Sequence, residues 1–261
     1  MPTKIGWSDS QVQNIINKYV NNKLSLQDIA NEYSVCKKTI SLLLEKHGVI
    51  KRNISSYRKY HVNRQYFDEI DTEEKAYWLG MIVADGNVYK NTLNLGLQIS
   101  DVKHVYKFRK ALNSNHPIKK YRNSYICQIH SKSIVKSLKK YNIIPNKCKI
   151  ITMPELNANL ESHFWRGVFD GDGTIGYREV KKHKNWYISI VGNKFLLKQF
   201  ENFVKQVCNT RASIKEKNSS YSFSINGNSL SSQLADSIYI NSYPEIRLSR
   251  KYKKYDQMKN E

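Results

Sequence analysis

The start of the chain carries apolar side chains with a helical period in three short segments. In the first segment these residues follow the i, i+3, i+4, i+7 spacing of one helix face, and they are Val12, Ile15, Ile16 and Tyr19. Segments 25–33 and 37–47 show the same period, and Gly48 is a natural end for the third. The pattern predicts a small all-α domain of three helices over residues 1–52.

The second and third of these helices resemble a helix-turn-helix. Ala30 is small enough for the point where two helices cross closely, and Lys37, Lys38 and Ser41 would then face a DNA groove. The turn contains Ser34, at a place where such motifs often have glycine. A small helical bundle with one charged face would show the same pattern, so both interpretations stay open.

Residues 53–70 show no clear period and are predicted to form a basic linker. Arg52 lies just before this segment, and Arg58, Lys59 and Arg64 lie within it. These cations could contact DNA, or the segment could be a solvated tether.

Beyond residue 70 one pattern of elements occurs twice, over 71–157 and 158–261. Each copy reads as helix, two strands, helix, two strands, helix, and segment 129–138 of the first corresponds to 225–234 of the second. Apolar residues alternate with polar ones in one strand of each copy, and they are Leu93, Leu95, Leu97 and Ile99 in the first and Trp186, Ile188 and Ile190 in the second. The duplication predicts an α+β protein of two pseudo-symmetric halves behind the small helical domain.

The charge of the chain indicates a polyanionic partner. Its 261 residues include 43 Lys and Arg against 22 Asp and Glu, which gives a net charge of +21. This surplus leaves DNA, RNA and anionic lipid open. Apolar residues make up 40% of the chain, which excludes general disorder, but no apolar run is long enough to span a bilayer.

The cysteines and the N-terminus give no sign of secretion. The four cysteines form no CxxC pair, which argues against a disulfide framework and against structural zinc. The first residues lack the apolar stretch of a signal peptide. We therefore expect a cytoplasmic protein of a bacterial or phage-type host, without a membrane segment.

Two related helices carry the candidate chemistry. Small residues stand four apart on each, Gly80 with Ala84 and Gly167 with Gly171, so the two helices can approach backbone to backbone. Both helices end in Asp-Gly, at 85–86 and 172–173, and these glycines are expected to adopt a left-handed backbone. Helices packed in this way would bring Asp85 and Asp172 to the same end.

Two carboxylates at helix C-termini repel each other and the helix dipoles, so a cation between them is favoured. Mg²⁺ accepts oxygen ligands and keeps waters while it binds phosphate oxygens. Such an ion could activate water and stabilise the leaving oxygen of a phosphodiester. A single Asp-Gly would only end a helix, but two at equivalent places in a duplicated, basic chain favour a metal site.

The sequences around the two motifs, AYWLG at 76–80 and FWRGVFDGDG at 164–173, resemble the LAGLIDADG homing endonuclease family in its single-chain, two-motif form. The resemblance covers about 71–255, and the chain departs from the motif at Val83, where the family has an acid, and at Gly171, where it has Ala. It implies two αββαββα halves joined through the motif helices, with saddle-shaped sheets in the DNA major groove. It also implies cleavage of both strands across the minor groove, leaving short 3′ overhangs.

By the same resemblance, Asp85 and Asp172 are the catalytic metal ligands, and the metal site also includes Ala84 and Gly171. The expected cofactor is Mg²⁺, with Mn²⁺ or Ca²⁺ as substitutes, Ca²⁺ in a non-cleaving complex. Lys147 and Lys251 resemble catalytic lysines that lie near the scissile phosphate in the family, although either could be an ordinary surface lysine.

Asp101 and Asn193 begin equivalent helices in the two halves. They could organise water near the candidate metal site, but both already have a structural explanation as helix N-caps. The N-cap interpretation is the preferred one.

DNA contacts are expected from the N-terminal module and from the polar faces of the strands. The predicted residues are Lys37, Lys38, Ser41, Arg52, Asn94, Gln98, Ser100, Lys119, Arg122, Arg178, Lys181, Lys182, Lys184, Lys215, Lys217, Ser222 and Ser224.

The sequence thus predicts a monomeric, site-specific endonuclease that hydrolyses both strands of double-stranded DNA. The alternative is a non-catalytic DNA-binding regulator, or a maturase that assists intron RNA folding, on the same scaffold. The helix-turn-helix favours DNA because A-form RNA hides its major groove from such helices.

Overall fold

The computed structural model of the protein describes residues 6–52, 60–145, 151–181, 183–217 and 220–261. The chain divides into two compact units, Met1–Lys59 and Tyr60–Glu261. Within the described ranges, no helix is both long enough and apolar enough to cross a membrane.

The first unit contains three helices, α1 (Asp9–Val20), α2 (Leu26–Glu32) and α3 (Lys37–Lys46). Capping boxes start the first two, formed by Ser8 with Gln11 and by Ser25 with Asp28. The core of this unit consists of Val12, Ile15, Tyr19, Ile29, Ala30, Ile40, Leu43 and Leu44. The predicted apolar faces are therefore the buried ones, apart from Ile16 and Leu26, which are half-buried.

Ser34 lies in the turn between α2 and α3 with a left-handed backbone, at φ 52°. Glycine adopts this conformation most readily, which explains why a glycine is expected there. The order helix, turn, helix thus agrees with the sequence pattern, whereas DNA contact by this unit stays a prediction.

The second unit holds two copies of one arrangement. The first copy comprises α4 (Glu73–Asp85), β1 (Gly86–Tyr89), β2 (Thr92–Gln98), α5 (Val102–Ala111), β3 (Ile118–Tyr121), β4 (Ser124–His130) and α6 (Lys132–Lys140). The second comprises α7 (Ala158–Asp172), β5 (Gly173–Val180), β6 (His183–Gly192), α8 (Lys194–Val207), β7 (Lys215–Lys217), β8 (Ser220–Asn226) and α9 (Asn228–Tyr239), followed by α10 (Ser249–Lys259).

The antiparallel sheets of the two copies have the same topology, β1-β2-β4-β3 in the first and β5-β6-β8-β7 in the second. One hydrophobic core runs through both copies and includes the buried Trp78, Trp165 and Trp186. The predicted α+β fold of two pseudo-symmetric halves is confirmed.

The alternation predicted for β2 holds only as far as Gln98. Leu93, Leu95 and Leu97 are buried, as expected. Ile99 and Ser100 instead lie in a 3₁₀ turn after the strand, and Ile99 is 50% exposed. The prediction that Ile99 is buried and that Ser100 belongs to the polar strand face is therefore wrong, because the chain turns into α5 at this point.

Residues 60–70 differ from the linker predicted over 53–70. Tyr66 and Phe67 are buried in the core of the second unit, and the Asn63 amide donates to the Leu112 carbonyl at 2.8 Å. The cations of this segment obscured the two aromatic side chains that anchor it. Residues 53–59 lie outside the described part of the chain.

The start of α4 is fixed by Thr72, whose hydroxyl accepts from the Lys75 amide at 3.3 Å. Glu74 is the second residue after this N-cap and so does not occupy the capping-box position. Its carboxylate instead accepts from the Tyr66 hydroxyl at 2.8 Å, which ties residues 60–70 to the motif helix.

Candidate functional site

The two motif helices, α4 and α7, pack backbone against backbone. A Cβ atom added to Gly80 would lie 2.1 Å from the Phe164 carbonyl oxygen, and one added to Gly167 would lie 2.0 Å from the Tyr77 carbonyl oxygen. These contacts are equivalent, because Gly80 and Tyr77 correspond to Gly167 and Phe164 in the duplicated chain. The predicted stripe of small residues is the contact surface between the helices.

The C-terminal ends of the same helices lie together. A Cβ atom on Gly171 would lie 2.3 Å from the Ala84 Cβ and 3.0 Å from the Asp85 Oδ2. The Asp85 carboxylate thus lies against the residue that precedes Asp172. Asp85 is exposed and Asp172 is half-buried. The predicted meeting of the two motif ends agrees with this geometry.

The glycines after the two aspartates are needed for space and not for a left-handed backbone. Gly86 and Gly173 are extended, with φ of −78° and −90°. A Cβ on Gly86 would lie 2.6 Å from the Ile82 carbonyl oxygen, and one on Gly173 would lie 2.2 Å from the Phe169 ring. The expected αL cap is therefore wrong, because each strand leaves the helix directly and passes close over its last turn.

Lys251 on α10 is buried beneath the end of α7. Its Nζ donates to the Phe169 carbonyl at 2.7 Å and to the Gly171 carbonyl at 3.3 Å. Burial lowers the pKa of Lys251 to about 8, while Asp170, Asp85 and Asp172 oppose that shift. Lys251 is not an ordinary surface lysine, since it satisfies C-terminal carbonyls of the motif helix. Lys147 lies outside the described residues.

Asp170 is the most deeply buried carboxylate near the site. It accepts hydrogen bonds from the Tyr239 hydroxyl at 2.6 Å, the Leu248 amide at 2.7 Å and the Tyr77 hydroxyl at 2.8 Å. Burial raises the pKa of Asp170, and Lys251 with these three donors opposes the increase. The sequence prediction omitted Asp170, although the mismatch with the equivalent Val83 could have indicated it.

The hydrogen-bonded chain continues from Asp170 into the first half. The Tyr77 oxygen lies 2.6 Å from the His104 Nε2. Because the Tyr77 proton is directed to Asp170, the His104 Nε2 carries the hydrogen that it shares with Tyr77. Burial lowers the pKa of His104 to about 3, so the imidazole is neutral near pH 7. His104, Tyr77 and Asp170 thus join α5, α4 and α7.

Asp101 and Asn193, predicted as N-caps of equivalent helices, differ in their contacts. Asn193 accepts from the Leu196 amide at 2.9 Å and donates to the Ile151 carbonyl at 2.9 Å, so it caps α8. Asp101 makes no side-chain cap and instead accepts from Arg250 Nε at 2.8 Å. The N-cap interpretation holds for the asparagine side chain only.

Several predicted DNA-contacting residues lie on the sheet faces that point away from the core. Asn94 and Lys119 line a groove of about 530 Å³ together with Asp85. Gln98 is exposed at the end of β2. In the second sheet the same face carries Arg178, Lys215, Ser222 and Ser224. Asn87 and Gln128 also line the groove beside Asp85 and were missed. Asn87 lies on β1, which is too short to show an alternating pattern, and Gln128 lies on β4.

Other predicted residues lie elsewhere. Arg122 and Lys181 occupy hairpin turns with left-handed backbones, at φ 51° and 50°. Lys184 lies on the same face of β6 as the buried Trp186 and forms an ion pair with Glu261. This placement differs from the polar strand face predicted to contact DNA. Lys182 lies outside the described residues, as does the side chain of Lys217.

In the first unit, Lys37 and Lys38 are exposed and Ser41 is half-buried on α3. Arg52 is directed inward. Its guanidinium donates to the carbonyls of Lys23 and Leu24 and lies 4.3 Å from the centre of the Tyr19 ring. The structure thus gives Arg52 a role in holding the end of this unit to α1.

Neither family profiles nor curated protein sequences give a match to this chain. Solved structures do match it. One is the I-SmaMI LAGLIDADG homing endonuclease bound to cleaved DNA, at 13% identity over 70% of this chain and 87% of the other, with a TM-score of 0.51. Another is the meganuclease I-SmaMI bound to uncleaveable DNA, at 12% identity over 71% and 90%, with a TM-score of 0.50. This protein has the fold of the LAGLIDADG homing endonucleases.

Proposed function

We propose that the protein is a site-specific endonuclease that cuts both strands of double-stranded DNA with divalent cations held at Asp85 and Asp172. The observation that carries the proposal is that the C-terminal ends of the paired helices lie together, each ending in a motif aspartate, with the Asp85 carboxylate against Gly171. In the similar structures, I-SmaMI is bound to cleaved and to uncleaveable DNA. The net charge of +21 also favours DNA as the partner of this protein.

The donor set suits a hard divalent ion such as Mg²⁺. Among the described residues, no three His, Cys, Asp or Glu side chains form a cluster. In this proposal the protein supplies two carboxylates and neighbouring carbonyls. Gly171 leaves room beside Asp85, because a Cβ there would crowd the Oδ2 at 3.0 Å. Asp85 and Asp172, with the carbonyls of Ala84 and Gly171, would hold the ion. When bound, the ion would polarise water and neutralise phosphate charge.

The protein itself supplies positioning. Lys251 holds the last carbonyls of α7 and places a positive charge close to both aspartates, which offsets their repulsion. In this proposal Lys251 orients the end of the motif helix and does not bind the phosphate directly. Lys119 and Lys215, at equivalent places on the two sheets, contact the DNA backbone on either side.

A single chain carries both motif helices, so we propose that it acts as a monomer. The N-terminal unit adds a second contact through Lys37 and Lys38 on α3. In the full-length protein, the double substitution Lys37→Gln/Lys38→Gln should reduce the salt dependence of duplex binding by about two charges, a change in logarithmic slope of about 1.8. An unchanged slope would favour the alternative, a helical bundle with a solvated charged face.

The decisive experiment is to incubate the protein with a random-sequence plasmid library and Mg²⁺ and to sequence the new ends. Wild-type protein should produce double-strand ends at a defined sequence. Asp85→Asn and Asp172→Asn should each abolish double-strand cutting while duplex binding remains. Asp256→Asn, the same change at an exposed position of α10, is the matched control and should cut normally.

Full cutting by the double variant Asp85→Asn/Asp172→Asn would refute the proposed chemistry. Sequence-specific binding without any cutting by the wild type would instead indicate a DNA-binding regulator. Preferential binding of folded RNA over duplex DNA would indicate a maturase.

A further inference from the structure

Strand register places three carboxamide side chains in one row beside Asp85. Asn87 on β1 is directly opposite Asn94 on β2, and Asn94 is directly opposite Gln128 on β4. Directly opposed residues on antiparallel strands project from the same face of the sheet. Leu93, Leu95 and Ile129 face the core, so the amide row faces outward, into the groove that Asp85 and Lys119 line.

In the part of the chain that the structure describes, the fold does not use the hydrogen-bonding capacity of these amides. Across the described ranges, no residue donates to or accepts from the side chains of Asn87, Asn94 and Gln128. The structural amides of this protein behave differently. Asn193 bonds through both its oxygen and its nitrogen, and Asn228 does the same with the Trp186 amide and the Lys184 carbonyl.

The second sheet carries hydroxyls where the first carries amides. The pairing of Gly86 with Leu95 corresponds to the pairing of Gly173 with Ile190, so the equivalent row is Thr174, Ser189 and Ser224. The neighbouring lysines occupy equivalent positions in the two sheets. Lys119 is opposite Ile126 in the first sheet, and Lys215 is opposite the equivalent Ser222 in the second. Amide against hydroxyl is therefore the main chemical difference between the two rows.

This difference matters for base recognition in the major groove. A carboxamide presents a donor and an acceptor side by side, which match N7 and N6 of adenine, whereas a hydroxyl serves any base edge. We propose that the row Asn87, Asn94 and Gln128 reads adenine in adjacent A·T pairs of one half of the target, and that the hydroxyl row discriminates less. The inference rests on the proposed function for its DNA partner, but not on cleavage.

The test is selection of a random duplex library for binding, without divalent ions, followed by sequencing of the bound fraction. Asn94→Ser and Gln128→Ser convert amide positions to the chemistry of the second sheet. Each should lower the preference for A·T at one or two adjacent positions by roughly 5- to 100-fold. Ser189→Ala is the matched control in the second sheet. It should change the base preference by less than roughly 5-fold at any position, which is smaller than the effect of losing a bidentate hydrogen-bonded pair.

Because preferences in the opposite half of the site are read from the same data, their retention shows that each variant is folded. The inference is overturned if the amide variants change no position, or if the positions they change prefer G·C in the wild type. It is also overturned if the wild type selects no sequence, since a base-reading row must enrich one. A wild type that selects A·T pairs through this row but cuts nothing would support the inference and refute only the nuclease.

Discussion

The ends of the two motif helices are built differently although the sequence duplicates them. At the end of α7 the buried Asp170 receives hydrogen bonds from α4, from α9 and from the residue before α10. At the end of α4 the equivalent residue is the buried Val83, which packs in the apolar core. The comparison shows that the two halves share the helix contact and the terminal aspartates, while the support behind them is polar in one half only.

Replacement of Asp170 by Val gives the second motif the chemistry of the first and should have the largest effect. It leaves the Tyr77 and Tyr239 hydroxyls and the Leu248 amide without their acceptor, and Lys251 without its nearest counter-charge. We expect a loss of about 4 kcal/mol in the free energy of unfolding, measured by urea denaturation. Val83→Ala, the matched change in the other half, should cost about 2 kcal/mol. Equal costs at the two positions would contradict the proposed asymmetry.

The glycines in the helix contact should behave alike in the two halves. A methyl group at Gly80 or at Gly167 meets a carbonyl oxygen at 2.1 or 2.0 Å, so the helices must separate. Gly80→Ala and Gly167→Ala should each destabilise the protein by about 3 kcal/mol. Gly192→Ala is the control, because its nearest neighbour lies at 3.5 Å, and its cost should stay below about 1 kcal/mol. Thermal unfolding of the three variants gives the comparison directly.

A pH effect should distinguish the halves because His104 on α5 has the apolar Leu196 as its counterpart on α8. Burial lowers the pKa of His104 from 6.5 to about 3, so only the unfolded chain takes up a proton between these values. The contribution of His104 to the free energy of unfolding is therefore fully present above pH 6.5. It falls by about 1 kcal/mol per pH unit as the pH decreases below that value.

His104→Leu should remove this component, so the difference in unfolding free energy between wild type and variant should change between pH 7 and pH 5. A constant difference over that range would show that His104 has the same pKa in the folded and unfolded states, as a solvent-exposed imidazole would.

The smallest effect is expected from the equivalent lysines Lys119 and Lys215. Each is exposed on the outer face of its sheet, so Lys119→Gln and Lys215→Gln should each remove one phosphate contact. The logarithmic salt slope of duplex binding should decrease by about 0.9 for each variant. Unequal changes would indicate that the two sheets approach the DNA backbone to different extents.

The contact between the motif helices was predictable because its signal is local and repeated. Small residues four apart and a terminal Asp-Gly occur twice at equivalent positions, and the main-chain contacts of Gly80 and Gly167 follow from that spacing. The period-two pattern of β2 was likewise readable up to Gln98.

Other features depend on partners that are distant in sequence. The burial of Lys251 requires knowing that α10 lies beneath the end of α7, and Tyr66 and Phe67 lie in a segment where charge dominated the pattern. The row of amides emerges only from the pairing of three strands, one of which has four residues. The extended backbone of Gly86 shows that Asp-Gly has two physical uses, conformational freedom and space, which sequence alone does not separate.

The contact of Gly80 and Gly167 with opposing carbonyls has a consequence for how such a protein can diversify. At these two glycines the main-chain atoms touch, so neither position has a side chain whose size could be reduced to move the helices closer together. In the proposed nuclease, this fixed contact would set the distance between the two cut positions. New targets would then arise by exchange of residues on the sheets, while the stagger of the cut stays constant.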